Sequence, residues 1–195
     1  MKPLIGHHFV TPRTSPPQMG AVYDYLIAGN GVFLRAERPE FSAIVPWQLF
    51  GQTICGLGFV EPAFSLNVPV VPDHLVKEMI EMARQPQPFV ETLFYFVWED
   101  EWSLIVPPQL GRRGQVRLLD PYCEVHQKAL IEVHSHPPGA NQFSHVDDQA
   151  GEGFRVFGLI THLDTVPKLT VRVGIERHFW ELPSEWVFGA EEAQI

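Results

Sequence analysis

Hydrophobic residues recur with two different periods along this chain, and these periods predict a strand-rich protein with one clear helix. From residue 73 to residue 84 the apolar side chains fall at helical spacing, and Asp73 stands where it can cap the first turn. The aromatic run 89–98 predicts a strand, since aromatic and β-branched residues favour strands. Residues 102–106 are expected to form its hairpin partner.

The first 70 residues have a different pattern from the rest of the chain. The first twenty carry several prolines and are expected to be irregular. The pair Asn30–Gly31 separates two β-prone runs, at 23–27 and 32–36, and this arrangement predicts a hairpin. We therefore expect a small β-rich region over residues 1–70, followed by a second region over residues 71–195.

The second region mixes strand and helix signals. Further strands are expected at 115–119, 129–133, 154–161 and 169–175, with a loop at 107–114 and an aromatic tail at 183–188 that packs on the core. Many of the connections are too short for a helical crossover. The pattern therefore favours a mixed α/β (α+β) layered fold over a doubly wound parallel sheet.

Composition and charge exclude several classes of function. With 195 residues, 45% of them hydrophobic and 19% charged, the chain is long enough for one sizeable core and is expected to be soluble. A net charge of −9 argues against nucleic acid or a membrane surface as partner, and the pair Arg112–Arg113 is expected in a solvated loop. Cys55 and Cys123 are expected to be free thiols. No apolar run reaches membrane-spanning length, so a cytoplasmic location is expected.

The run from His134 to Asp147 carries the clearest chemical signal. Two histidines flank one residue, seven residues follow, and Ser144 and Asp147 then stand three apart. The preceding apolar segment predicts a strand, whose alternating side chains put His134 and His136 on one side. A Pro-Pro-Gly turn ends that strand, and Ser144 is expected to cap a short helix that brings Asp147 back toward the imidazoles.

Two imidazoles and one carboxylate suit zinc, whose catalytic sites combine three protein ligands with one water. A second interpretation stays open. Ser144 and Asp147 match a capping box, which many helices use without any metal, and a His-x-His pair alone is often a surface or core feature.

A metal hydrolase also needs a general base, and the residues themselves leave two candidates open. Glu132 lies two residues before His134, on the same face of the predicted strand. Glu91 opens the aromatic strand, where a carboxylate is costly unless it has a partner. The simpler interpretation of Glu91 is a strand-end residue at the rim of the sheet.

The segment from His134 to Asp147 resembles the JAMM motif of the JAB/MPN metalloprotease family at all four motif positions, and the resemblance extends over roughly residues 72–175. It implies a JAB/MPN domain over 71–195, with a central mixed β-sheet flanked by helices. It further implies one Zn²⁺ per chain, held by His134, His136 and Asp147. In that family a glutamate at the start of a strand after the first helix is catalytic, and Glu91 matches it. Ser144 matches the hydroxyl that steadies the tetrahedral intermediate.

The whole chain is similar to the A proteins of the PRTRC system, a bacterial plasmid and mobile-element cassette. The similar segments are 30–33, 143–147 and 169–174. The cassette includes a ubiquitin-like protein and a ThiF-type activating protein. The resemblance thus implies a zinc metallopeptidase or isopeptidase that acts on the tail of a ubiquitin-like (β-grasp) or sulfur-carrier-like protein. The compact chain between Glu91 and His134 argues against ubiquitin itself. The alternative is a non-catalytic MPN-type docking module in a plasmid or phage-related assembly, and the intact ligand set argues against it.

Overall fold

The computed structural model describes residues 3–13, 17–20, 22–85 and 89–189, and there the chain is a strand-rich mixed α/β protein, as expected. Its strands are β1 (Ile5–Phe9), β2 (Tyr23–Ala28), β3 (Gly31–Arg38), β4 (Phe41–Leu49), β5 (Ala63–Leu66), β6 (Leu93–Trp98), β7 (Trp102–Ile105), β8 (Gln109–Arg112), β9 (Gln115–Leu118), β10 (Ile131–Ser135), β11 (Phe154–Thr161), β12 (Lys168–Ile175) and β13 (His178–Leu182). Its helices are α1 (Asp73–Arg84), α2 (Glu124–Lys128) and α3 (His145–Ala150), with a 3₁₀ turn at Ser184–Trp186. Among these helices none has the length and apolar composition needed to cross a bilayer.

The backbone contacts divide the chain into two compact units. The first contains the chain up to residue 68 together with 152–154 and 173–180. The second contains 69–151, 155–172 and the described residues from 181 onward. The division into 1–70 and 71–195 stays a prediction. The two later segments of the first unit carry no local mark in the sequence.

The first unit contains a five-stranded sheet in the order β1-β2-β3-β4-β5. β2 and β3 form the predicted hairpin, with Gly29 and Asn30 in the turn. The expectation of an irregular start is wrong for residues 5–9, since β1 pairs in parallel with β2 along its full length. The apolar core of the first unit contains Val10, Leu26, Ala28, Phe33 and Val60.

A buried carboxylate explains how β1 is held. Asp24 is fully buried, and it accepts hydrogen bonds from the backbone N–H groups of Gly6 and Gly20 at 3.1 Å and 3.0 Å. Arg35 pairs with its second oxygen at 2.5 Å. Burial alone would raise the pKa of Asp24, but the hydrogen bonds from Arg35 and Gly20 outweigh it and lower that pKa. Asp24 therefore stays ionised and ties β1 to the sheet.

The second sheet positions the candidate site. Its order is β13-β12-β11-β10-β6-β7. The strand β10 runs antiparallel to β6, with His134 opposite Leu93, and parallel to β11, with His134 opposite Leu159. The carboxyl end of β10 and the start of β6 therefore meet at one edge of a mixed sheet.

The helix α1 has the predicted bounds, and the predicted apolar face is buried: Val76, Met79, Ile80 and Ala83. Pro72, not Asp73, occupies its N-cap, and no side chain caps this end. Asp73 is instead the first helical residue, where its charge favours the helix dipole. The prolines at 86 and 88, from which the sequence predicts the end of this helix, lie outside the described residues.

The expected loop at 107–114 is wrong in part, because it contains β8, which pairs with β9. Glycine and arginine favour strands weakly, so the local composition hides this hairpin. The helix α2 and the strand β13 were also not predicted. The aromatic tail packs as expected, with Phe188 fully buried and its ring centroid 5.7 Å from that of Phe96. Cys55 and Cys123 are free thiols.

Candidate metal centre

Three side chains with metal-binding atoms converge at the carboxyl end of β10. The Nε2 atoms of His134 and His136 lie 3.1 Å apart. They lie 3.2 Å and 3.4 Å from the Oδ1 and Oδ2 atoms of Asp147, respectively. The structure thus brings together the three residues that the sequence nominated as ligands, and one ligand atom of each lies within 4.8 Å of the others.

The spacing and chemistry of this triad fit a small metal ion. In a tetrahedral site with ligand bonds of about 2.0–2.1 Å, neighbouring ligand atoms stand about 3.3 Å apart. The corresponding separations here are 3.1, 3.2 and 3.4 Å. Two imidazoles and one carboxylate form a donor set that several divalent metals accept. The triad is therefore compatible with a bound metal ion.

The end of β10 places the two imidazoles as side-chain alternation predicts. The strand ends at Ser135, but the ladder continues, because the His136 N–H donates to the Ile160 carbonyl at 2.9 Å. His134 and His136 therefore project to the same side. Ser135 between them is fully buried, and its Oγ accepts a hydrogen bond from the Thr92 N–H at 3.0 Å.

The start of α3 presents Asp147 through a capping box. Ser144 is the N-cap, and its Oγ accepts from the Asp147 N–H at 3.3 Å. The Asp147 carboxylate accepts from the Ser144 N–H at 2.5 Å. The two interpretations of the motif are thus compatible, since one carboxylate both caps the helix and faces the histidines. The exposed hydroxyl of Ser144 accepts one bond and keeps its own hydrogen for donation.

A buried arginine that the sequence did not nominate holds the far side of α3. The Nη1 of Arg172, on β12, donates to Asp148 at 2.6 Å. Its guanidinium lies 3.7 Å from the ring centroid of Phe143, a close cation–π contact. Phe143 packs edge-on against His134, with ring centroids 5.8 Å apart. In the sequence, the one feature that could have indicated this role was the charge of Arg172 inside a largely apolar predicted strand.

Glu91 lies beside the triad and comes from a different segment. Its Oε1 is 3.8 Å from the Nε2 of His136, and only 5% of the residue is exposed. The sequence had placed Glu91 at the opening of the aromatic strand, but it lies two residues before β6 begins. Its N–H donates to the Arg112 carbonyl at 2.9 Å. Gly111 lies so close that an added Cβ would be 2.3 Å from the Glu91 carbonyl oxygen.

The residues that follow Glu91 are held from both sides. Ser135 accepts from the Thr92 N–H, while the Ser135 N–H donates to the Thr92 carbonyl at 2.9 Å. The side-chain amide of Gln109 accepts from the Leu93 N–H at 2.7 Å and donates to the Leu93 carbonyl at 2.9 Å. These paired bonds fix the backbone from which Glu91 projects. Ser135 and Gln109 were missed because their partners are distant in sequence.

Glu132, the second candidate base, is committed to another partner. Its carboxylate accepts from the Nη1 of Arg155 at 3.1 Å. Arg155 also donates to the His126 carbonyl at 2.6 Å, so this pair belongs to a network that anchors α2. The geometry therefore favours Glu91 over Glu132 as the carboxylate available to the triad.

Burial and charge shape the protonation of the site. Burial raises the pKa of Glu91, and the nearby His136 and His134 counteract this only in part. Burial also tends to raise the pKa of Asp147, but hydrogen bonds from both histidines hold that pKa far below its usual range. At neutral pH Asp147 is therefore a carboxylate, and the raised pKa of Glu91 makes it a stronger proton acceptor than an exposed glutamate.

The pH dependence of metal affinity follows from His136. Burial lowers the pKa of its imidazole, but the hydrogen bond and charge of Asp147 and the charge of Glu91 raise it more, so it lies above the ordinary histidine value. Below that pKa the ring carries a proton that an entering ion must displace. Affinity should therefore fall by about tenfold per pH unit, starting at a higher pH than for an ordinary histidine ligand. Chelator competition between about pH 8 and about pH 5.5 measures this. A flat profile across that range would contradict it.

Comparison with known proteins gives no independent assignment. No protein-family model matches the chain, and a comparison with curated proteins finds no significant match. The function is therefore argued from the geometry of the site.

Proposed function

We propose that this chain is a zinc-dependent peptidase or isopeptidase of the JAB/MPN, JAMM-motif type. The observation that carries the proposal is the position of Glu91. A buried carboxylate lies 3.8 Å from a histidine of a convergent two-histidine, one-aspartate cluster. This combination supplies both a candidate metal site and a proton acceptor next to it.

His134, His136 and Asp147 would hold the zinc ion. The two Nε2 atoms lie 3.1 Å apart, and they lie 3.2 Å from Oδ1 and 3.4 Å from Oδ2 of Asp147, respectively. The donor set matches catalytic zinc sites that keep one position for solvent. When bound, zinc supplies a Lewis acid and lowers the pKa of water to near neutrality.

The remaining steps belong to the chain's own residues. The Glu91 carboxylate accepts a proton from the attacking water and returns it to the nitrogen of the leaving amine. Because burial raises the pKa of Glu91, the proton is held and released closer to neutral pH than at an exposed glutamate. The Ser144 hydroxyl donates its free hydrogen to the carbonyl oxygen on which negative charge develops.

The substrate class that we propose is the C-terminal tail of a ubiquitin-like or sulfur-carrier-like β-grasp protein, and a ThiF-type activating protein would be a functional partner. Support comes from the motif resemblance and the similarity to the PRTRC cassette. The competing function is a non-catalytic docking module. A docking module would not require a buried base beside the ligand cluster, because a buried carboxylate carries a desolvation cost.

The test is cleavage of β-grasp proteins that carry a reporter peptide after a Gly-Gly tail. We expect release of the reporter by the zinc-loaded chain, loss of release with a chelator, and recovery when zinc is restored. Quenched peptides without the β-grasp domain show whether the domain itself is recognised. A chain that binds one zinc but cleaves none of these substrates would favour the docking module.

The packing of Gly111 predicts a loss of activity without loss of metal. In Gly111→Ala the added Cβ would stand 2.3 Å from the Glu91 carbonyl oxygen, so this backbone must shift. A displacement of about 1 Å of a catalytic group typically costs about a hundredfold in rate. We expect a decrease of that order, measured by reporter release, with unchanged zinc stoichiometry.

Gly114→Ala is the matched control, because it lies in the same hairpin and an added Cβ meets nothing within 4 Å. It should retain turnover within about twofold. Equal turnover in Gly111→Ala and Gly114→Ala would show that β8 does not position Glu91.

A further inference from the structure

The hairpin formed by β8 and β9 has two chemically different faces. Its inward face contains Val116 and Leu118, which pack on the cluster around Leu93 and Tyr95. Its outward face contains Leu110 opposite Arg117 and Arg112 opposite Gln115, and all four of these residues are exposed. Arg113 is also exposed, in the turn between the strands. The hairpin therefore presents three arginines to solvent.

These arginines are unusual for this chain. The sequence has 14 basic and 23 acidic residues, yet no acidic residue occurs between Glu101 and Asp120. Among the described residues no salt bridge involves Arg112, Arg113 or Arg117. A cluster of uncompensated positive charge on an acidic protein creates a local field that attracts negative partners.

The hairpin is also attached directly to the proposed catalytic base. The Arg112 carbonyl accepts from the Glu91 N–H at 2.9 Å, and Gly111 packs against the Glu91 carbonyl. The backbone of Val116 contributes a hydrogen bond that lowers the pKa of Glu91. A polypeptide that lies on the outward face is therefore adjacent to the site.

We propose that the β8–β9 hairpin is a docking surface for an acidic polypeptide segment of the protein substrate. Its role in substrate choice rests on the proposed function, whereas its binding does not. Leu110, which is 52% exposed, offers an apolar contact among the arginines. Complementary charge of this kind sets the choice and approach of a partner more than the final affinity.

An acidic polypeptide fits this surface better than nucleic acid does. Proteins that bind single strands combine a basic groove with aromatic stacking platforms, and the outward face offers a leucine and a glutamine between its arginines.

Fluorescence anisotropy with labelled peptides tests the proposal. The probes are a peptide of alternating glutamate and glycine, a matched peptide of alternating lysine and glycine, and an oligothymidylate. The protein is the zinc-loaded full chain carrying Glu91→Gln, so that binding is measured without turnover. The test variant adds Arg112→Gln, Arg113→Gln and Arg117→Gln.

The matched control adds Lys77→Gln, Lys168→Gln and Arg177→Gln, which remove the same charge from exposed positions elsewhere. Thermal melting of both variants verifies that each is folded. We expect the glutamate peptide to bind at least about tenfold more tightly than the lysine peptide. The arginine variant should lose about tenfold in that affinity, since it removes three exposed charges that each contribute modestly, and the control less than about twofold.

Equal loss in both variants, or no binding of the glutamate peptide, would overturn the proposal. Tighter binding of the oligothymidylate would also overturn it and assign the arginines to nucleic acid. Reporter cleavage is measured separately in the chain that keeps Glu91. If the three arginine substitutions leave that cleavage unchanged, the proposed function stands and only the docking role is removed. Peptide binding without any cleavage would support the docking surface and contradict the hydrolase.

Discussion

Glu91→Gln should lower turnover by about a thousandfold or more while one zinc ion per chain is retained. Glutamine has the shape of glutamate but cannot accept a proton, and general-base catalysis contributes about 10²–10⁴-fold to such rates. The carboxylate lies 3.8 Å from His136 and outside the ligand triad, so metal binding should persist. Reporter release and zinc analysis of the same preparation measure both properties.

Glu132→Gln is the matched control for this variant. It removes the other candidate base, whose carboxylate pairs with Arg155 at 3.1 Å. Because that pair is half-buried, the variant should lose stability but keep turnover within about tenfold once folded. Full activity in Glu91→Gln together with loss in Glu132→Gln would transfer the role of base to Glu132.

Asp147→Asn should weaken zinc binding by at least about a hundredfold. Loss of a residue that only hydrogen-bonds to a metal ligand typically weakens metal affinity by about 10–100-fold. The neutral amide removes the only charged ligand of the triad. The oxygens of Asp147 lie 3.2 Å and 3.4 Å from the two imidazole nitrogens, and their charge is what holds both rings toward one point. Competition with a zinc chelator at constant pH gives the change in affinity.

Asp148→Asn provides the comparison, because it removes the same charge from the next residue of α3. Asp148 pairs with Arg172 and positions the helix, so its loss should cost no more than about tenfold in zinc affinity. If the two variants lost affinity equally, Asp147 would act on the site only through the charge of α3 and not as a ligand.

The convergence of the three candidate ligands could be predicted from the sequence because its geometry is mostly local. Alternation along one strand puts His134 and His136 on one face. The Ser144 cap fixes the helix start from which Asp147 projects. The mixed character of the fold and the bounds of α1 could likewise be predicted from hydrophobic periodicity.

The surroundings of the cluster could not be predicted in this way. The residues alone left Glu91 and Glu132 both open, and the pairing of Glu132 with Arg155 became visible only in the structure. The hairpin packs against Glu91 through Gly111, where a side chain would collide with the Glu91 carbonyl oxygen, twenty positions earlier in the sequence. Such contacts arise from tertiary packing, which local propensity does not encode.

A zinc-edge anomalous difference map of crystals grown with zinc shows whether His134, His136 and Asp147 hold one zinc ion. We expect a single strong peak within about 2.0–2.2 Å of the two Nε2 atoms and of a carboxylate oxygen of Asp147. A map with no peak between these three side chains, or with the ion bound at other residues, would contradict it.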